Sequence, residues 1–205
     1  MKKLIIDNVK KSYDGKCVLK GVSIECDSQK STCIMGASGT GKTTLLNIIM
    51  RLTESDYGMV TYTGEDTTKK NDYKYSVSAV FQENSLIGHL SPVVNVSMVL
   101  KRKCGKDVVK AELGKLIDKE ALDKPCLKYS GGMKRRVEIV RAIMAESDVV
   151  VMDEPFAGLD DNTKDKVINY IIDNIGDRIL IVSTHDMSDA DKLNANIVNI
   201  CDSGL

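Results

Sequence analysis

Short, largely apolar runs recur along the chain, and between them apolar positions return at helical spacing. Leu4–Val9, Val18–Glu25 and Thr32–Met35 read as strands. GASGTGKTTLLNIIMRL reads as a loop that runs into a helix, and GMVTYTG and YSVSAVF read as two further strands. From about Pro92 to Leu122 polar and apolar residues mix with few strand formers, which predicts a helical insert between two β-rich halves. A helix is expected from Gly131, followed by the strand DVVVMD. The next helix carries Val167, Ile168, Ile171, Ile172 and Ile175 on one face. RILIVS reads as a strand, MSDADKLN as a short helix and ANIVNI as a last strand. Fully apolar strands that alternate with helices predict an α/β fold, a parallel sheet covered on both faces.

Composition narrows the function classes. The 205 residues suit one domain with a small insert, and 42% apolar residues are enough for a full core. Lys and Arg number 29, as do Asp and Glu, so the formal charge is zero. That balance argues against a general nucleic-acid or membrane-surface binder. No apolar run reaches the roughly 18 residues that span a bilayer. The start MKKLIIDNVKK is too short in apolar residues to read as a signal peptide. The six cysteines, at 17, 26, 33, 104, 126 and 201, form no CxxC pair, and no His stands at ligand spacing. The expectation is free buried thiols in a cytosolic protein, with no metal site built from cysteine.

Two motifs carry phosphate chemistry. Gly36-Ala37-Ser38-Gly39-Thr40-Gly41-Lys42-Thr43, with Thr44 next, follows the strand STCIM and leads into a helix. Its glycines let backbone N–H groups wrap phosphate oxygens, Lys42 reaches the β- and γ-phosphates, and the Thr43 hydroxyl suits Mg²⁺. DVVVMDEP is a buried strand that ends in two carboxylates. Asp153 at the strand tip suits Mg²⁺, and Glu154 beside it can orient and deprotonate a water. His185, directly after the strand in IVSTHD, becomes a credible γ-phosphate contact because that strand can lie near the loop, whereas His89 in LIGHLSP reads as loop. SGGMKRR, from Ser130 to Arg136, is a second anion-binding helix start, almost ninety residues from the first.

Together these residues resemble the ATP-binding cassette family of ATPases, over nearly the whole chain and in the family's motif order. The resemblance implies a P-loop ATPase core over residues 1–205, with an N-terminal antiparallel β subdomain and a helical subdomain at about 88–145. SGGM resembles the family's signature, which faces the partner cassette's ATP. Ser130, Gly131 and Gly132 would therefore contact a γ-phosphate in trans. Tyr13 in KSYDGK matches the aromatic that stacks on adenine, with an ordinary turn aromatic as the plain alternative. Gln82 in FQEN matches the glutamine that senses Mg²⁺ and the attacking water and links to the helical insert, against a surface strand end. Asp160 in AGLD matches the acid of the loop that crosses the dimer interface, and it also suits a helix N-cap. His185 matches the switch histidine. The implied cofactors are ATP and Mg²⁺.

The implied activity is ATP hydrolysis that drives a membrane permease. A homodimer or cassette heterodimer would close on ATP at the cytoplasmic face of the membrane. A solute-binding protein is a further partner of the import reading. SGGMK, MDEPFAGLD and FQENSLIGHLSPVVNV are most similar to the nitrate/sulfonate/taurine-type importer ATPases. Tyr129 stands where the family usually has Leu, Met133 where many members have Gln, and KRRVEIVRA departs from the commoner Gln-Arg and Ala-Arg pattern. DKEALDKPCLK lacks the glutamate-bearing loop that exporters place before the signature. The chain ends soon after NIVNICDSGL, so a C-terminal regulatory extension is not expected. The second reading is a cassette that regulates or assembles a membrane complex. A small-molecule kinase or GTPase leaves SGGMKRR unexplained, and no Asn-Lys-x-Asp guanine motif is present. The Lys101-Arg102-Lys103 run reads as a solvated face.

Overall fold

The computed structural model describes residues 1–64, 75–100 and 104–200. The Lys101-Arg102-Lys103 run and Cys201 lie outside them. In chain order the elements are β1 (Lys3–Tyr13), β2 (Lys16–Asp27), β3 (Thr32–Met35), α1 (Lys42–Ile49), β4 (Tyr57–Thr63), β5 (Val77–Val80), α2 (Pro92–Ser97) and α3 (Lys106–Leu113). Two 3₁₀ turns, Lys119–Ala121 and Cys126–Lys128, precede α4 (Gly131–Met144). Then follow β6 (Val149–Asp153), α5 (Asp161–Asn174), β7 (Ile179–Ser183), α6 (Met187–Lys192) and β8 (Asn196–Asn199).

The strands form two sheets. One is antiparallel, in the order β2-β1-β4, and the other is parallel, in the order β5-β6-β7-β3-β8. Period-two alternation divides the parallel sheet between two cores. Val150, Met152, Leu180, Val182 and Cys33 pack into the core shared with α4, α5 and the helical insert. Val149, Val151, Ile179, Ile181 and Ile34 face the core shared with α1 and the antiparallel sheet. Both sides are apolar, so β3, β6 and β7 are buried at every position. Burial of each large apolar side chain among them stabilises the fold by about 1.5–3 kcal/mol.

Two expectations are corrected. On α5, Ile172 is exposed, and Tyr170 joins Val167, Ile168 and Ile171 in the buried set. Ile172 lies about 100° round the helix from Ile171, on the flank of the apolar stripe. Of the described cysteines, Cys26, Cys33 and Cys126 are buried, but Cys17 is exposed and Cys104 only half-buried. Cys17 sits near the start of β2, an edge strand of the antiparallel sheet. Burial pushes the Cys26 thiol up to about 11 and the Cys33 thiol up to about 12.

The register sets the functional edge. Asp153 pairs with Ser183, and Ser183 pairs in turn with Ile34, so β3, β6 and β7 end level with one another. Val80 pairs with Met152, which places the end of β5 beside them. The loops that follow these strands therefore meet at one edge, where ligands of open α/β sheets bind. Among the described residues no helix is long and apolar enough to cross a membrane.

At the opposite end Arg178 joins two helix C-termini. Its Nη1 donates to the Ile143 and Ala145 carbonyls at 2.9 and 3.2 Å, Nη2 to Asn174 at 2.7 Å and Nε to Ile175 at 2.8 Å. Arg178→Met is expected to cost about 2–4 kcal/mol, because these half-buried carbonyls lose their charged donor. Urea unfolding measures this, and a loss below about 0.5 kcal/mol would refute the role.

Candidate functional site

The loop between β3 and α1 is shaped from within. Gly41, at the N-cap of α1, has φ 95°, and a Cβ there would stand 2.9 Å from both Leu19 Cδ2 and Val18 Cγ1. Only glycine fits both the backbone angle and that space. Thr40 is buried, and its hydroxyl donates to the Ala37 carbonyl at 2.9 Å. Lys42 Nζ donates to the Gly36 and Ala37 carbonyls at 2.8 and 3.0 Å, which holds the ammonium across the loop. The α1 N-terminus, its unpaired N–H groups and this cation together form an anion site.

Asp153 is 4% exposed and uses both carboxylate oxygens. Oδ2 accepts from Thr43 Oγ1 at 2.7 Å, and Oδ1 accepts from Ser183 Oγ. The next residue, Glu154, has φ 47°, in the left-handed region. Its N–H is shared between Ser183 Oγ at 3.0 Å and the Ser183 carbonyl at 3.2 Å. Glu154 Oε2 lies 2.9 Å from Nδ1 of the exposed His185. The loop bearing His185 is anchored from α5. Lys164 Nζ lies 3.0 Å from Asp186 and 2.9 Å from the buried Asp189. The Lys164 ammonium, then Ser188, hold the Asp186 carboxyl well below the usual carboxylate range.

The loop's Lys42 and Thr43 meet Asp153, Glu154 and His185 in one cleft of about 650 Å³. Ser38, Gly39, Gly41, Lys42, Thr43, Thr44, Gln82, Asp153, Glu154 and His185 all border it. Gly36, Ala37 and Thr40 stand behind the lining as the loop's internal support. Tyr13 is exposed at the end of β1 and is absent from the lining. The Thr43 hydroxyl and the Asp153 carboxylate offer hard oxygen donors only. That pair fits Mg²⁺, which keeps waters and takes one or two carboxylates plus substrate phosphates. Among the described residues no group of three or more His, Cys, Asp or Glu could hold a metal ion.

Ser130, Gly131, Gly132 and Asp160 border a second cleft instead. Ser130 caps α4, where its side chain accepts from the Met133 N–H at 3.2 Å. Asp160 caps α5 in the same way, with Oδ1 accepting from the Thr163 N–H at 3.0 Å. Gln82, Arg135 and Ala157 border both clefts and form the wall between them. Tyr129 points away from both: its ring is buried, and its hydroxyl donates to the Ala121 carbonyl at 2.6 Å. A Tyr at this position therefore fills the core of the helical insert.

Sequence reasoning missed Ser183 and Val18, and it gave Arg135 of SGGMKRR and Ala157 of AGLD no role of their own. For Ser183 a signal was present, a hydroxyl that closes an otherwise apolar strand at the same level as Asp153. Val18 carries no local sign, because its place in the lining comes from tertiary packing.

A family model described as ABC transporter matches residues 19–157. The chain belongs to the ABC transporter family. Among similar proteins, the spermidine/putrescine import ATP-binding protein PotA of Spiroplasma citri is 33% identical over 210 residues, covering 98% of this chain and 60% of that protein. The carnitine transport ATP-binding protein OpuCA of Listeria monocytogenes is 33% identical, covering 98% and 54%. The sulfate/thiosulfate import ATP-binding protein CysA of Pseudomonas aeruginosa is 30% identical, covering 94% and 62%. The chain thus spans little more than half the length of these relatives. The dimeric structure of the bacterial ABC transporter cassette MJ0796 superposes with a TM-score of 0.80 at 27% identity, covering 97% of this chain and 94% of that one. A post-hydrolysis state of the same cassette, bound to ADP and Pi, gives 0.80 at 25% identity, covering 96% and 93%. The expected fold, an ABC cassette with a parallel and an antiparallel sheet, is the one found.

The left-handed backbone at Glu154 stores strain of about 1–2 kcal/mol that the chain bears at its site. Glu154→Gly is therefore expected to match or exceed the parent in thermal stability. A clear drop in the calorimetric midpoint would refute stored strain at this residue.

Proposed function

We propose that the chain is an ATP-binding and ATP-hydrolysing subunit that works as a pair of cassettes on a membrane permease, in the direction of import. The observation that carries this reading is the separation of the phosphate-binding loop and the Ser130 helix start into two clefts divided by Gln82, Arg135 and Ala157. Two helix starts that border different clefts of a single chain become one site when two chains meet head to tail. That the similar cassette MJ0796 is dimeric supports the pairing.

In this reading the loop from Gly36 to Thr44 wraps the ATP phosphates, and Tyr13 stacks on adenine. Thr43 and Asp153, with Gln82, would hold Mg²⁺, which supplies charge neutralisation at the β- and γ-phosphates. The second copy presents Ser130, Gly131 and Gly132 to the γ-phosphate, and its Asp160 lies at the seam. Glu154 orients and deprotonates the attacking water. His185, bonded to Glu154 at 2.9 Å, holds that carboxylate and meets the γ-phosphate. The water oxygen bonds to the γ-phosphorus as the bond to the ADP oxygen breaks, and Lys42 offsets the charge that develops.

Residues 1–205 form one nucleotide-binding domain in this account, with about 88–145 as the helical subdomain that meets the permease. Import is supported by the relatives, which are named for spermidine/putrescine, carnitine and sulfate/thiosulfate. The narrower assignment to nitrate/sulfonate/taurine-type importers stays within this reading and rests on SGGMK, MDEPFAGLD and FQENSLIGHLSPVVNV. The subunit would sit at the cytoplasmic face through its permease, and an import system would add a solute-binding protein.

Steady-state hydrolysis and equilibrium ATP binding test the assignment. Glu154→Gln is expected to bind ATP as the parent does and to turn over about 10²-fold slower or worse. Lys42→Ala is expected to lose binding itself, by about ten-fold or more. Parental turnover in Glu154→Gln would remove Glu154 from the mechanism.

A further inference from the structure

Glu138 is a carboxylate on α4 with 1% of its surface exposed. Its Oε1 accepts from the Ser85 N–H at 2.6 Å and from Ser85 Oγ at 3.1 Å, while Oε2 faces Arg135 Nη1 at 3.5 Å. Arg135 donates from Nη1 to the Phe81 carbonyl and from Nη2 to the Gln82 carbonyl at 2.6 Å. Arg141 donates to the Ser85 carbonyl at 3.1 Å and to Ser85 Oγ at 2.5 Å. Residues 135, 138 and 141 recur at three-residue spacing, so they share one side of α4. All three grip a single short segment, residues 81–85, at its two ends.

We infer that Arg135, Glu138 and Arg141 are positioning residues that lock the Gln82 segment to α4, so that Gln82 moves with the Ser130 helix start as one body. A nucleotide met by Ser130 in one cleft would then be felt at the same chain's Gln82 in the other. The inference deepens the proposed function and rests on its role for Gln82. Burial of a carboxylate is costly unless every lone pair is used. An apolar side chain on this face would pack without that cost. Yet all the partners of Glu138 lie on the Gln82 segment or serve it.

A double-mutant cycle on ATP hydrolysis by the full chain tests the inference. Glu138→Met, which keeps volume but drops the grip on Ser85, is expected to lower kcat about ten-fold with KM for ATP within about two-fold. In a Gln82→Ala background the same change is expected to cost less than about two-fold, because the residue it positions is already gone. Glu138→Gln, which retains an oxygen for Ser85, is expected to restore most of kcat. The same ten-fold loss in both backgrounds, or parental kcat in Glu138→Met, would overturn the inference. Parental kcat in Gln82→Ala alone would instead overturn the role given to Gln82. Should Glu138→Met fail to fold, Arg135→Gln carries the same cycle by removing the contacts to the Phe81 and Gln82 carbonyls.

Discussion

The site depends on one buried carboxylate. Asp153 joins the phosphate-binding loop, through Thr43, to the end of β7, through Ser183. Both oxygens are in use, and the residue is almost fully out of water, so the positions of three chain segments are tied to a single side chain. The hydroxyl of Ser183 serves twice, since it also accepts from the Glu154 N–H. That bond holds Glu154 in a left-handed conformation that an L residue otherwise avoids, and thereby aims its carboxylate at His185. Such an arrangement needs parallel strands that end level with one another, and the Asp153–Ser183–Ile34 register provides this.

Around this edge the N-termini of α1 and α4 border different clefts. The wall between the clefts is built from Gln82, Arg135 and Ala157, and Arg135 belongs to α4 while Gln82 follows β5. The charged side chains on α4 fasten these two elements together. The helix that opens at Ser130 therefore has a direct mechanical hold on the segment that borders the other cleft. Energy from phosphate contact in one place can reach another through a rigid element and a few charge-assisted hydrogen bonds.

Much of this was legible in the residues. β3, β6 and β7 are apolar at nearly every position because both faces are covered, and their length of four or five residues decides for strands over a buried helix. The loop from Gly36 to Thr43 and the DVVVMDEP strand declare their chemistry locally, because phosphate binding needs glycines and a lysine at fixed spacing. Ile172 was misread because five isoleucine and valine positions at helical spacing span a wider arc than the sheet covers, and the flank is left to solvent. Cys17 was misread because edge strands expose what composition alone would bury. The grip of α4 on residues 81–85 joins positions more than fifty residues apart. No local pattern encodes such a contact, although a glutamate amid the apolar positions of α4 is a sign that a partner is near.

In the proposed function each complete site needs two chains. Light scattering on purified Glu154→Gln, with and without Mg·ATP, measures it directly. The mass is expected to double only when ATP and Mg²⁺ are present, and to stay monomeric when Ser130 is also replaced by a bulky residue. A monomeric mass in Glu154→Gln with ATP demonstrably bound would contradict it.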